Sequence, residues 1–149
     1  MSFYIAYGSN LNLEQMALRC PGAKPAGAGA LPGYRLAFRG AARGYYLTLL
    51  PKPEGSVPIG IWEVTPENLE KLEEYEGYPE FYYKAELDVS FKDSSTGESR
   101  RERALIYIMR ESYGPGAPTE EYYQGCLEGF RSFGLDTAGL EEAYREVTD

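Results

Sequence analysis

Glu76 is the residue best placed to do chemistry, because its position makes its charge expensive. In PENLEKLEEYE, Pro66 to Glu76, the helical period puts Leu69 and Leu72 on one face, about 60° apart, with Glu76 falling between them. Glu70, Lys71 and Glu74 project elsewhere, as solvated charges should, and Glu73 sits at the boundary. A carboxylate centred on an apolar stripe is costly unless it is paired or neutral. Glu76 also occupies the last turn, where the helix dipole disfavours negative charge. Both effects raise its pKa, the direction a general acid–base needs near neutral pH. The competing expectation is a helix that frays at Gly77 and leaves the carboxyl in water.

The second candidate is the stretch YGSN, Tyr7 to Asn10, where an apolar β-favouring run stops abruptly. Asn12 followed by Gln15 fits a capping box with Asn as the cap, so the next helix starts there. Gly8-Ser9-Asn10-Leu11 is left as a tight loop with free backbone N–H groups and short polar side chains. Such a loop can hold a carboxylate or an oxyanion, or can be a turn and nothing more. After Gly77, a strand over YPEFYYKAEL puts Tyr82 and Lys84 on one face and Phe81 and Tyr83 on the other. Either pair could face inward, and a hydroxyl or ammonium there would be a natural partner for Glu76. Tyr122 and Tyr123 read by default as packing residues at a helix entry.

The elements that must position these groups follow from pattern and punctuation. Ser2–Tyr7 reads as a strand and Leu13–Arg19 as a short helix, stopped by Cys20-Pro21-Gly22. AKPAGAGALPG is either a loop or a Gly-rich strand closely approached by another backbone. Tyr34–Arg39, Tyr45–Leu50 and Pro58–Val64 read as strands, with Gly60 marking a bulge or close approach. Thr65 suits an N-cap and Pro66 the first helical position, and Gly77 closes that helix. Phe81–Lys92 and Glu102–Met109 form a hairpin across DSSTGES, and helices follow over Glu120–Phe133 and Thr137–Val147. Six or seven strands with helices inserted and appended predict one α+β domain over 1–149, built on a mostly antiparallel, barrel-like sheet.

Composition narrows the function. The net charge of −8 argues against a nucleic-acid partner. Residues 119–149 carry eight carboxylates against two arginines, so the excess belongs mostly to solvated C-terminal helix faces. With no histidine, Ser-His and Cys-His nucleophilic catalysis and histidine metal sites are ruled out. Cys20 and Cys126 form no CxxC pair and read as buried structural thiols. No apolar run reaches the roughly 20 residues a membrane span needs, and the expected location is the cytoplasm.

Taken together, YGSNL, GYRLAF (Gly33–Phe38), VPIGIWEV, LEKLEEYEGYPEFYYK and PTEEYYQGCLEGFRSFGL resemble the γ-glutamylcyclotransferase-like (AIG2-like) family over nearly the whole chain. The resemblance implies a small mixed, mostly antiparallel β-barrel with flanking helices. It implies release of 5-oxoproline from a small-molecule γ-glutamyl compound, without metal or organic cofactor, and makes a homodimer reasonable. By similarity Glu76 is the catalytic glutamate; Tyr7, Gly8, Ser9, Asn10 and Leu11 cradle the substrate; Tyr82 and Tyr122 border the pocket. Two departures bear on the substrate. Lys84 stands where the family often has arginine, and Tyr45-Tyr46 replace small residues at the expected pocket mouth. They motivate a second reading, a non-catalytic ligand-binding member. A serine hydrolase using Ser9 lacks the usual base.

Overall fold

A computed structural model describes residues 1–149. Its strand β1, Ser2–Ala6, pairs antiparallel with the far end of β3 (Ser2 opposite Val64 through Ala6 opposite Gly60) and parallel with β5 at Phe3 and Tyr4. β2 (Lys24–Ala41) and β3 (Gly44–Val64) form one long hairpin, and β4 (Tyr82–Asp93) and β5 (Ser99–Met109) form another. The order β3-β1-β5-β4-β2 closes through the β2–β3 pairing into a five-stranded mixed barrel. A two-residue strand, β6 (Gly114–Pro115), is appended to β2. Helices α1 (Leu13–Arg19), α2 (Pro66–Tyr75), α3 (Glu120–Ser132) and α4 (Ala138–Thr148) flank it. Ile5, Ile59, Ile61, Ile106 and Phe38 are among the residues that fill its core.

The strands expected as separate pieces are continuous. Tyr34–Arg39 joins the Gly-rich stretch before it in β2, and Tyr45–Leu50 joins Pro58–Val64 in β3. Prolines 51 and 53 do not break β3 because they stand in its exposed middle, where the register shifts and only β2 lies alongside. AKPAGAGALPG is therefore strand rather than loop, and its composition has a steric cause. A Cβ at Gly29 would lie 2.5 Å from the Ser90 carbonyl of β4, so the barrel closes there only over glycine.

The capping box at Asn12 is half made. Its Oδ1 accepts from Gln15 N–H (3.1 Å), but the Gln15 side chain turns to Arg19 instead of returning to the cap. α2 carries a complete box, Thr65 with Asn68. It ends on Gly77 at φ +63°, with Tyr78 N–H bonded to Glu73 O and Gly77 N–H to Glu74 O. The helix therefore does not fray: Glu76 keeps right-handed helical angles one residue beyond Tyr75, and its N–H donates to Leu72 O (2.8 Å).

α3 lies directly on the loop after β1. A Cβ at Gly129 would stand 2.6 Å from both Asn12 N and Leu11 C, backbone atoms that cannot swing aside. Gly129→Val is expected to cost about 1–3 kcal/mol in urea denaturation, as overpacked sites do. It should also increase amide exchange in the Ser9–Leu11 turn.

Candidate active site

The barrel is sealed where β1 bridges β3 and β5, and it opens past Ala6, where β1 has ended. There β3 and β5 present backbone groups with no strand beside them, and tyrosines supply the partners. Tyr7 OH donates to Tyr107 O (2.6 Å) and Tyr82 OH donates to Leu47 O (2.7 Å). Tyr122 OH accepts from Leu47 N–H (3.2 Å). Hydrogen bonding by these hydroxyls avoids the cost of burying unpaired backbone polar groups. The space they enclose is a cavity of about 170 Å³. Burial holds all three phenols well above their ordinary pKa, so they remain neutral.

Glu76 reaches this cavity from the end of α2. Its Oε1 receives a long hydrogen bond from Asn10 Nδ2 (3.4 Å), while Oε2 has no partner in the chain and opens to the cavity. Burial pushes the carboxyl from 4.5 up to about 8, against a smaller downward pull from the Arg19 guanidinium. Near neutral pH the group can therefore both give and take a proton.

The loop expected to cradle a ligand is a single 3-10 turn, Ser9–Leu11. Leu11 and Asn12 N–H groups close it by bonding to Gly8 and Ser9 carbonyls, whereas the N–H groups of Gly8, Ser9 and Asn10 donate to nothing in the chain. Asn10 is pinned at both ends: Trp62 Nε1 donates to its carbonyl (2.9 Å), and its Nδ2 donates to Tyr4 OH (2.8 Å). Ser9 Oγ meets Tyr75 OH (3.0 Å) and Arg19 Nη1 (3.3 Å), neither of which is a base for a serine nucleophile.

Tyr7, Gly8, Ser9, Asn10, Glu76, Tyr82 and Tyr122 all line the cavity. Leu11 does not; it is fully buried behind the turn, packed where Gly60 leaves room. Tyr82 and Phe81 are both buried and both line the cavity, because Phe81 precedes β4 and is not bound by its alternation. Lys84, considered as a partner for Glu76, instead pairs with Glu73 (2.6 Å), which Tyr107 OH also approaches (3.3 Å). Of the two tyrosines expected at the mouth, Tyr46 lines the cavity and Tyr45 does not. Tyr4, Tyr107 and Arg43 escaped the sequence reading. Tyr4 and Tyr107 look like ordinary strand aromatics; in the fold the Tyr4 hydroxyl accepts from Asn10 Nδ2 and the Tyr107 carbonyl accepts from Tyr7 OH.

A model of the family "Gamma-glutamyl cyclotransferase, AIG2-like" matches residues 4–125. No curated protein matches the sequence. Among solved structures, a gamma-glutamyl cyclotransferase superposes with TM-score 0.80 at 26% identity, over 97% of this chain and 85% of that one. An uncharacterized human protein, loc79017, gives 0.76 at 24% identity, over 98% and 87%. A yeast gamma-glutamyl cyclotransferase specific to glutathione gives 0.57 at 12% identity, over 97% and 98%. The last two likenesses concern the fold alone. With the family's model covering most of its length, the chain belongs to the AIG2-like gamma-glutamyl cyclotransferase family.

Proposed function

We propose that the protein is a γ-glutamyl cyclotransferase that releases 5-oxoproline and a free amine or amino acid, with Glu76 moving the protons. The observation that carries this reading is a single carboxyl, raised to about 8, with one oxygen open to a tyrosine-walled cavity. In the reaction the substrate's α-ammonium gives a proton to Glu76, and the freed nitrogen attacks the γ-carbonyl carbon. A carbon–nitrogen bond closes a five-membered ring, and the carbonyl oxygen becomes an oxyanion. Glu76 returns that proton to the leaving nitrogen as collapse breaks the original amide bond, and the regenerated carboxylate carries the ring nitrogen's second proton to the released amine, which departs as an ammonium. No water is consumed and no side chain is acylated.

Because the nucleophile is tethered to its target, proximity supplies much of the acceleration; effective molarities for such reactions reach about 10⁵ M and above. What the site must do is bend the glutamyl chain and handle charge. The undonated N–H groups of Gly8, Ser9 and Asn10 suit the α-carboxylate or the oxyanion. Tyr7, Tyr82 and Tyr122, fixed by backbone hydrogen bonds, hold the wall rigid. The buried Cys126 thiol, pushed up to about 12, is a poor nucleophile and takes no part.

At the mouth, Arg43 is exposed and makes no ion pair, with Tyr46 and Phe81 beside it and Glu74 also on the rim. A leaving group with its own carboxylate fits that cation. Arg43→Ser should therefore raise KM several-fold for γ-glutamyl amino acids while barely changing it for γ-glutamyl alkylamines. The reading as a whole is tested by screening γ-glutamyl amino acids, amines and ε-lysine conjugates for 5-oxoproline release. Binding without release across that panel would leave a ligand-binding member of the fold.

A further inference from the structure

Arg19 ends α1 outside the cavity lining, yet its guanidinium reaches two residues of the loop that forms that lining. Its Nη1 donates to Asn10 Oδ1 (2.6 Å) and Ser9 Oγ (3.3 Å), and its Nη2 donates to Gln15 Oε1 (2.7 Å). The guanidinium lies 3.8 Å over the ring of Tyr75, whose hydroxyl meets Ser9. Gln15, the side chain that abandoned the capping box, is thus the support on which the arginine rests.

The consequence falls on the Asn10 amide. An amide can present either its oxygen or its NH₂ to a given neighbour, and a guanidinium has only donors. With Oδ1 taken by Arg19, Nδ2 is forced toward Tyr4 OH and Glu76 Oε1. A flipped amide would set donor against donor at Arg19 and, once Glu76 is ionised, oxygen against oxygen at its carboxylate. We propose that Arg19 is a positioning residue for the reaction: it fixes the Asn10 amide so that Glu76 receives a hydrogen bond at one oxygen and keeps the other for substrate. The proposal rests on the proposed role of Glu76.

The charges around Glu76 leave Arg19 the electrostatic part as well. Tyr4 and Tyr7 face Glu76 from β1 and its end, Tyr75 from α2, Tyr82 from β4, Tyr107 from β5 and Tyr122 from α3, all as neutral hydroxyls. Glu73 and Glu74 belong to the same helix, and Glu73 is neutralised by Lys84. Arg43 stands at the mouth. Arg19 is the cation whose field favours the ionised form of Glu76.

Two variants separate the parts. Arg19→Met keeps an apolar stem over Tyr75 and loses both fork and charge, while Arg19→Lys keeps the charge but cannot fork to Asn10 and Gln15 together. The Glu76 titration is read by ¹³C NMR of labelled glutamate carboxyls, its resonance identified by its loss in Glu76→Gln. Arg19→Met should move the midpoint up by roughly one pH unit and lower kcat at least tenfold, with KM changed less than threefold. Arg19→Lys should keep the wild-type midpoint and still lose kcat. A lowered melting temperature with unchanged midpoint and kcat would make Arg19 merely structural and overturn the proposal. If Arg19→Met does not fold, Arg19→Lys decides alone, since wild-type kcat in it would overturn the proposal. Absence of turnover in the wild type would count against the cyclotransferase reading, while the titration shift would still decide for or against Arg19.

Discussion

Glu76→Gln is expected to lower kcat for 5-oxoproline release by roughly 10²–10⁴-fold, the usual contribution of a positioned general acid–base. The substitution keeps the side chain's length and shape, and it replaces a carboxyl already largely neutral near pH 7. It therefore removes proton transfer without opening a hole or stranding a charge, and KM should change little. Asn10 Nδ2 can still donate to the amide oxygen, so the loop geometry is retained. Wild-type kcat in this variant would exclude Glu76 from the chemistry. The same variant offers a control on its own integrity through stability. A carboxyl at about 8 in the folded chain and 4.5 unfolded holds its proton more tightly when folded. Its stabilising contribution is complete below pH 4.5 and is lost as pH rises toward and through 8. Wild type should lose a few kcal/mol at most across that window. Glu76→Gln should show none of that loss and unfold at higher denaturant than wild type at pH 8.5.

The second large effect concerns how rate depends on pH. The acid limb of kcat/KM should fall near 8, because that parameter reports the free enzyme and Glu76 titrates there. The alkaline limb belongs to the substrate's own α-ammonium, which must arrive with its proton, so the profile is a narrow bell. The acid limb of kcat should lie lower. Once substrate is bound, its ammonium stands against Glu76 and favours the carboxylate, as any nearby opposite charge does. The separation between the two limbs thus measures how closely the ammonium approaches Glu76. Coincident limbs would mean that the α-amine binds elsewhere. An acid limb near 4.5 in both parameters would mean that Glu76 is solvated in the working enzyme.

Much of the candidate site's geometry was legible in the sequence, for reasons that can be named. Glu76 announced itself because helical periodicity is a local property, and Thr65, Pro66 and Gly77 set that helix's limits on either side. The α1 boundaries, Leu13 and Arg19, were readable from Asn12 and from Cys20-Pro21-Gly22 for the same reason. What could not be read depends on distant pairing. Whether β3 runs through Pro51 and Pro53 is decided by how β2 lies beside it, and sequence carries no sign of that. Lys84 pairs with Glu73 rather than Glu76, and which carboxylate of α2 a β4 side chain meets is set by tertiary packing that the strand pattern does not carry. Leu11 belongs to the same short motif as Gly8 and Ser9, yet the 3-10 turn rotates it into the core. Arg19 gave no signal at all, since an arginine in a helix's last turn is ordinary dipole complementarity.

The central claim is that the substrate's own nitrogen, not water, attacks the γ-carbonyl. Turnover of a γ-glutamyl substrate in H₂¹⁸O, with products resolved by mass spectrometry, tests it directly. The account predicts 5-oxoproline carrying no ¹⁸O, formed one for one with the released amine. Free glutamate carrying ¹⁸O in its γ-carboxyl would show hydrolysis instead and contradict it.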